Sequence, residues 1–276
     1  MIGLPVASRR GSGGARWLSL EGRRVYPKAP RRAIIGSPSR GATAARALSS
    51  EGAHVSVQII LASASPRRKE LLERLGFTVK VIPSAIDEIR AEGELPENFV
   101  KRMARTKCLS VVDRLNQTMY PAEPGGDPAA RRYPAVGGSR TQETRWVIGA
   151  DTVVVLGERI LGKPKDTAEA AEMLHRLGGN THRVITGFCI HDLKKNKEGI
   201  QAVGTDVRFK RLTSSEIEKY IAVGESMDKA GAYAVQGVGA YMIDSIVGSY
   251  TNVVGLPLCQ TVEMMEEMGA HDILPY

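Results

Sequence analysis

The stretch ILASASPRRKELLERLG, from Ile60 to Gly76, joins a strand pattern to a helix pattern through a very short turn. Apolar residues typical of a buried strand end at Leu61, and small polar residues follow. Ser65 suits the N-cap of a helix, Pro66 suits its first position, and Gly76 suits the residue after its last turn. The stretch therefore predicts a β-strand that leads through a tight turn directly into an amphipathic helix.

Two arginines, Arg67 and Arg68, lie in the first turn of this predicted helix. A helix N-terminus carries a partial positive charge, so each cation there is unfavourable by roughly 0.3–1 kcal/mol. The preceding strand, however, places the helix N-terminus at the carboxyl edge of a sheet, where free N–H groups collect anions. A bound anion would make both arginines phosphate clamps. The alternative is a solvated basic helix surface.

The remainder of the chain alternates strand and helix patterns. Two β-rich runs flank the hairpin signal Gly157–Glu158. Further strands are predicted at 77–84, 182–193, 202–212 and 240–248, and helices at 96–115, 166–178, 214–223 and 258–268. The predicted fold class is α/β, with a mixed twisted sheet flanked by helices on both sides.

Two segments stand apart from this pattern by their composition. Residues 1–55 are rich in Arg, Ala, Ser and Gly, and are poor in acids. They are typical of a transit peptide, although a disordered extension or a misassigned start codon would look similar. Residues 116–145 are rich in Pro, Gly and Arg and have no periodicity, which predicts a disordered insertion. The predicted folded domain is therefore 56–276, interrupted by this insertion.

The bulk composition excludes several kinds of protein. Of the 38 basic and 30 acidic residues, ten and two lie in 1–55, so the rest of the chain carries 28 of each. The net charge of +8 thus gives no basis for nucleic-acid binding by the folded domain. Its apolar runs are too short to cross a membrane. Three scattered cysteines form no disulfide pattern, as in a reduced compartment. We expect a cytoplasmic protein, or a mitochondrial or plastid one if residues 1–55 are a transit peptide.

Asp151 is the strongest candidate for chemistry, because it lies in the apolar run IGADTVVV, which is typical of a central strand. Acids are rarely buried without a partner, so Asp151 is a metal ligand or a general base, or else forms a structural ion pair. Gly149 and Ala150 beside it would leave room for a ligand. The stretch Gly157–Lys163 matches the pattern of a phosphate-binding loop, except that Pro164 follows where that loop has the magnesium-binding hydroxyl. The stretch is better interpreted as the return of a hairpin, so only Lys163 is kept as a phosphate contact. Gln236 could contact an amide-like base edge, or it could merely satisfy hydrogen bonds of a loop.

Three motifs in order resemble the Maf family of nucleoside triphosphate pyrophosphatases: LASASPRRKELL, IGADTVVVLGERILGKPKD and SMDKAGAYAVQGVGAYMIDSIVGSYTNVVGLPL. This resemblance implies a fold akin to the inosine triphosphate pyrophosphatases, a homodimer and a divalent cation, Mg²⁺ or Mn²⁺. It implies that Asp151 accepts a proton and that Arg67, Thr152 and Gln236 select the base. It also implies phosphate contacts by Ser63, Arg68, Lys107 and Lys163, with Glu88 and Asp151 as metal ligands.

The motifs SPRR and DKAGAYAVQG resemble the branch of the family that acts on dTTP and UTP. Ala234 stands where many relatives have glycine, a small departure within the third motif. We therefore expect hydrolysis of dTTP, UTP or modified pyrimidine nucleotides to the monophosphate and pyrophosphate, by metal-assisted attack of water on the α-phosphate. The alternative is a nucleotide-sensing regulator of cell division without catalysis. Neither a membrane nor a nucleic acid is an expected partner.

Overall fold

The predicted strand–turn–helix is present in a computed structural model, which describes residues 57–119, 144–270 and 273. Strand β1 (Gln58–Leu61) leads into helix α1 (Pro66–Arg74), with Ser65 at the N-cap position and Pro66 at the first helical position. The Ser65 side chain makes no capping hydrogen bond, so the proline and the backbone begin this helix. Gly76 has a φ of +85°, a conformation that glycine adopts without steric cost.

A seven-stranded mixed sheet forms the centre of the domain. The strands follow the order β2-β1-β3-β5-β6-β7, and β4 pairs with the end of β3. Strands β2, β1 and β3 are parallel, whereas β4, β5, β6 and β7 pair antiparallel with their neighbours. The remaining elements are β2 (Thr78–Val81), α2 (Pro96–Met119), β3 (Thr144–Leu156), β4 (Arg159–Leu161), α3 (Thr167–Leu177), β5 (Thr181–Asp192), β6 (Lys197–Phe209), α4 (Ser214–Val223), β7 (Ile243–Val247), α5 (Tyr250–Val254) and α6 (Leu258–Glu267). The predicted α/β class is confirmed.

Helices cover both faces of the sheet, and β3 shows how its side chains divide between them. Val147 and Val153 pack with residues of α2, whereas Trp146, Ile148 and Val154 belong to the clusters on the opposite face. This alternation follows from the two-residue period of a strand. It places Asp151 on the side of α2 and its neighbour Thr152 on the other side.

Two glycines let α2 lie unusually close to the sheet. A Cβ atom at Gly149 would lie 2.7 Å from the backbone nitrogen of Cys108, and one at Gly187 would lie 2.7 Å from that of Lys101. The expectation that Gly149 leaves room for a ligand is therefore wrong, because α2 fills that space. Gly149 affects the site indirectly, because it lets α2 lie close to the sheet and so brings a lysine of α2 within reach of Asp151.

The structure also corrects several predicted boundaries. Helix α2 continues to Met119 and β3 starts at Thr144, so the two ends of the predicted insertion 116–145 belong to regular elements, and the rest lies outside the described residues. The predicted leader 1–55 also lies outside them. Residues 240–242, predicted as strand, are part of the 3₁₀ segment Gly237–Met242. The short helix α5 was not predicted.

Within the described residues, no helix combines the length and the apolar character that a membrane span requires.

Candidate active site

One cleft of about 730 Å³ opens where β1 ends and α1 begins. All nine residues predicted from the sequence line it, although they come from six separate parts of the chain. They are Ser63, Arg67, Arg68, Glu88, Lys107, Asp151, Thr152, Lys163 and Gln236. The fold thus brings the complete predicted set together in one place.

The carboxyl edge of the parallel strands explains this convergence. Ser63 and the two arginines follow β1 directly, while Asp151 and Thr152 lie in the neighbouring strand β3. Lys163 follows β4, the return strand of the hairpin that starts from β3. In α/β sheets, ligands bind in the crevice outside the carboxyl ends of the strands, which is where this cleft lies.

Three charged side chains meet inside the cleft. Lys107 Nζ lies 2.6 Å from Asp151 Oδ1 and 2.6 Å from Glu88 Oε1. Lys107 and Asp151 are buried, at 8% and 5% exposed. Burial raises the pKa of Glu88, but the hydrogen bond and positive charge of Lys107 outweigh it and hold that pKa below its ordinary value. Asp151 therefore forms an ion pair, as the structural alternative predicted, but this pair lies in the cleft rather than in a closed core.

The two carboxylates could also hold a divalent cation. Their oxygens converge on a single ammonium group, as two ligands of one metal ion would. Among the described residues, no group of three or more His, Cys, Asp and Glu side chains is close enough to hold a metal. Mg²⁺ commonly takes one or two carboxylates and completes its shell with water and substrate phosphates. The donor set therefore fits a metal that binds together with a phosphorylated substrate.

Arg68 is committed largely to the protein. Its guanidinium donates from Nε to Gly255 O at 2.8 Å, from Nη1 to Ser63 Oγ and Ala150 O, both at 2.9 Å, and from Nη2 to Thr152 Oγ1 at 3.0 Å. Burial lowers its pKa, and the charge of Asp151 opposes this effect. Four of the five N–H groups are thus directed at protein acceptors, which leaves one for a ligand. Arg68 joins α1, β3 and the loop after α5.

Arg67 and Lys163 are more exposed than Arg68. Arg67 keeps a partly exposed side chain, whose Nη1 lies 3.6 Å from a carboxylate oxygen of Asp228. Gln236 lies directly before the 3₁₀ segment Gly237–Met242 and lines the cleft, as Asp228 does. These side chains are available to a ligand in a way that Arg68 is not.

Two buried residues that support the wall of the cleft were not singled out from the sequence. Thr186 is fully buried, and its hydroxyl lies 2.9 Å from that of Thr152. Asn252 of α5 is also fully buried, and its backbone oxygen accepts a hydrogen bond from the Thr186 hydroxyl. Thr152 and Thr186 face each other across the β3–β5 ladder, so pairing these two predicted strands in the correct register would have revealed the contact. Asn252 gave no such signal, because α5 was not predicted.

Comparison with known proteins identifies the family of this chain. The model of the family described as Maf-like protein matches residues 58–268. The chain is 46% identical over 212 residues to the dTTP/UTP pyrophosphatase of Syntrophotalea carbinolica, covering 77% of this chain and 85% of that protein. It is 44% identical to the one of Geobacter sulfurreducens, over 77% and 97% of the two chains, and 42% identical to the one of Clostridioides difficile, over 76% and 95%. The chain belongs to the Maf family.

Proposed function

We propose that this chain is a nucleoside triphosphate pyrophosphatase that hydrolyses dTTP and UTP to the monophosphates and pyrophosphate. Its similarity to proteins named dTTP/UTP pyrophosphatase supports this activity. The observation that carries the proposal is the buried Lys107–Asp151 pair, which lies in the same cleft as the basic start of α1. A carboxylate and several cations in one concave site suit the hydrolysis of a polyanion.

The cleft has the size and the charge that a nucleotide requires. Its volume of about 730 Å³ lies within the range of roughly 300–1,000 Å³ that is usual for small-molecule sites. The free N–H groups at the start of α1 would bind phosphate oxygens, and Arg67 and Lys163 would neutralise their charge. Ser63, Lys107 and Arg68 line the same cleft and would complete the phosphate site.

Asp151 would act on the attacking water. Its carboxylate is held by the Lys107 ammonium, so its orientation is fixed before a substrate binds. In that position it would orient a water molecule and accept its proton during attack on the α-phosphorus. Such preorganised charges lower the barrier because they need no reorganisation during the reaction.

A divalent cation, Mg²⁺ or Mn²⁺, would be held by Glu88 and Asp151 together with the substrate phosphates. When bound, such an ion withdraws charge from the phosphate oxygens and lowers the pKa of a bound water. Lys107 contacts both carboxylates and holds them close together at this position. The residues that would read the base are Arg67, Thr152 and Gln236, which all line the cleft.

The test is a panel of ordinary and methylated nucleoside triphosphates, incubated with the purified chain and Mg²⁺ or Mn²⁺. We expect release of monophosphate and pyrophosphate from dTTP and UTP above all others. Asp151→Asn should abolish turnover and still bind nucleotide, whereas Gln236→Ala should change the UTP/CTP ratio more than the overall rate. No turnover with any member of the panel, together with tight binding in calorimetry, would favour the nucleotide-sensing regulator instead.

The family resemblance supports a proposal on assembly, and the composition of residues 1–55 supports one on location. We propose a homodimer, which sedimentation of the purified chain would test. Residues 1–55 are proposed as a leader that directs the Maf domain to mitochondria or plastids if it is a transit peptide; otherwise the protein is cytoplasmic. Imaging of a tagged full-length chain, next to a version that starts at Val57, would separate these two locations. Nucleic acid is not a proposed partner, and strong DNA binding by the shorter version would contradict this.

A further inference from the structure

A continuous row of hydrogen bonds runs from Arg68 in the cleft into the core. Arg68 Nη2 lies 3.0 Å from Thr152 Oγ1, which lies 2.9 Å from Thr186 Oγ1, which in turn lies 3.0 Å from the backbone oxygen of Asn252. The row crosses from α1 through β3 and β5 to α5. Its inner part is closed to solvent, since Thr186 and Asn252 are both 0% exposed.

The two ends of this row determine the direction of every bond in it. The guanidinium can only donate and the backbone carbonyl can only accept, whereas each threonine hydroxyl has one hydrogen to donate. Thr186 therefore donates to Asn252 O, and its own oxygen accepts the hydrogen of Thr152. Thr152 in turn accepts from Arg68. The opposite orientation of Thr186 would leave the hydrogen of Thr152 without this acceptor and would lose one buried bond.

This direction limits what Thr152 can offer to a ligand. Its only hydroxyl hydrogen points inward to Thr186, and one lone pair is used by Arg68. Thr152 also lines the cleft, so the second lone pair is what remains for a ligand. We propose that Thr186 is a positioning residue for substrate specificity, which keeps the Thr152 hydroxyl as a pure acceptor and thereby selects a nucleobase that donates an N–H to it.

This inference rests on the proposed function, and it explains how the same cleft would distinguish pyrimidines. Uracil and thymine carry a hydrogen on ring nitrogen N3, whereas N3 of cytosine is an acceptor. Two acceptors that face each other lose a hydrogen bond and leave both groups unsatisfied. A site built around a ligand N–H group rejects an analogue without it far more strongly than a site that is merely too small or too large.

The experiment changes the acceptor behind Thr152 and measures kcat/KM for UTP and CTP. Thr186→Val keeps the β-branched shape but removes the acceptor, so the Thr152 hydroxyl is released and can donate to cytosine N3. We expect the UTP/CTP ratio to fall by about tenfold or more in Thr186→Val, the size of effect that a mispaired buried hydrogen bond produces. Thr186→Ser restores the hydroxyl and should return the ratio to that of the unmodified chain.

A matched control is Thr261→Val, the same change at a buried threonine of α6 whose hydroxyl donates to Pro257 O, away from the row. It should leave the UTP/CTP ratio unchanged.

A second measurement needs no variant: UTP methylated at N3 should bind the unmodified chain far more weakly than UTP methylated at C5, which keeps the N3 hydrogen. This comparison tests whether the site requires the N3 hydrogen; if Thr186→Val does not fold, Thr186→Ala removes the same acceptor and should lower the UTP/CTP ratio in the same direction.

The outcomes separate this inference from the proposed function. An unchanged UTP/CTP ratio in folded Thr186→Val overturns the inference, as does equal use of UTP and CTP by the unmodified chain. Equal binding of the two methylated nucleotides overturns it as well. Failure of the unmodified chain to hydrolyse any nucleoside triphosphate contradicts the proposed function itself, and binding of the methylated pair then still tests the inference.

Discussion

Lys107 Nζ lies 2.6 Å from Asp151 Oδ1, and this contact joins α2 to the central strand β3 inside the cleft. Both side chains are buried, so neither charge is well compensated by water. We predict that Lys107→Met reduces the free energy of unfolding by about 3–5 kcal/mol, because it leaves a buried carboxylate without its partner. Urea unfolding at pH 7 measures this loss.

A double variant separates the cost of a lone charge from the value of the pair. Lys107→Met combined with Asp151→Leu removes both charges, and we expect it to be markedly more stable than Lys107→Met alone. Arg105→Met, on the same helix as Lys107, is the matched control, because it breaks an exposed ion pair with Glu198 of β6 and should change stability far less. Equal instability of the single and double variants would show that the charges are not the cause.

The sequence was sufficient for the fold class because its local signals agree. The turn residues from Ala62 to Pro66 and the hairpin at Gly157–Glu158 each specify one local geometry, and both are observed. Asp166 accepts a hydrogen bond from the Glu169 backbone, as an N-cap residue does. Such local geometry depends on a few neighbouring residues, so it can be predicted from the sequence.

What the sequence could not give was the role of residues whose neighbours are distant in the chain. Arg68 and Gly255 are 187 positions apart, yet their hydrogen bond holds α1 against the loop after α5. Gly149 could be read as space for a ligand because nothing nearby in sequence shows that α2 occupies that space. Thr186 became a candidate only once the register of β3 and β5 was known.

The two glycines beneath α2 lead to a prediction about the site. In Gly187→Ala, the new methyl group would meet the backbone of Val100 and lie 2.7 Å from the Lys101 nitrogen. We expect a loss of about 1–3 kcal/mol in the free energy of unfolding, since backbone atoms cannot move aside cheaply. The displaced helix would also carry Lys107 away from Asp151, so kcat should fall as well.

Gly162→Ala provides the control for this change. A Cβ atom at Gly162 meets nothing within 4 Å, so the free energy of unfolding should stay near that of the unmodified chain. Chemical denaturation of the three proteins gives the comparison directly. A Gly187→Ala variant as stable as Gly162→Ala would contradict the close packing of α2 on the sheet.

Replacement by lysine should affect stability at one of the adjacent arginines of α1 and nucleotide binding at the other. Arg68→Lys keeps the charge but cannot reach four acceptors at once, so we expect a loss of about 2–4 kcal/mol of stability. Arg67→Lys removes only a long contact with Asp228 and should leave stability nearly unchanged while it raises KM for the nucleotide. Thermal unfolding and steady-state kinetics of both variants test the contrast. A stable Arg68→Lys variant would refute the structural role of that guanidinium.

His182 predicts a dependence of stability on pH. Burial lowers its pKa from 6.5 to about 4, and its Nε2 lies 2.8 Å from the Tyr233 hydroxyl, with Phe209 packed edge-on against the ring. The unfolded chain therefore takes up a proton near pH 6.5 that the folded chain refuses until about pH 4. Stability from this residue is complete above pH 6.5 and is lost as the pH falls towards 4, with about 2 kcal/mol lost by pH 5.

The variant His182→Gln keeps a hydrogen-bonding group but cannot titrate in this range, so it isolates the effect. Burial also lowers the pKa of His191, which adds a dependence of the same sign that both proteins share. The free energy of unfolding of the unmodified chain should therefore fall more steeply between pH 8 and pH 5 than that of the variant. His175→Gln, at an exposed position of α3, should behave like the unmodified chain. Urea unfolding at several pH values measures all three, and parallel curves for His182→Gln and the unmodified chain would exclude a neutral buried His182.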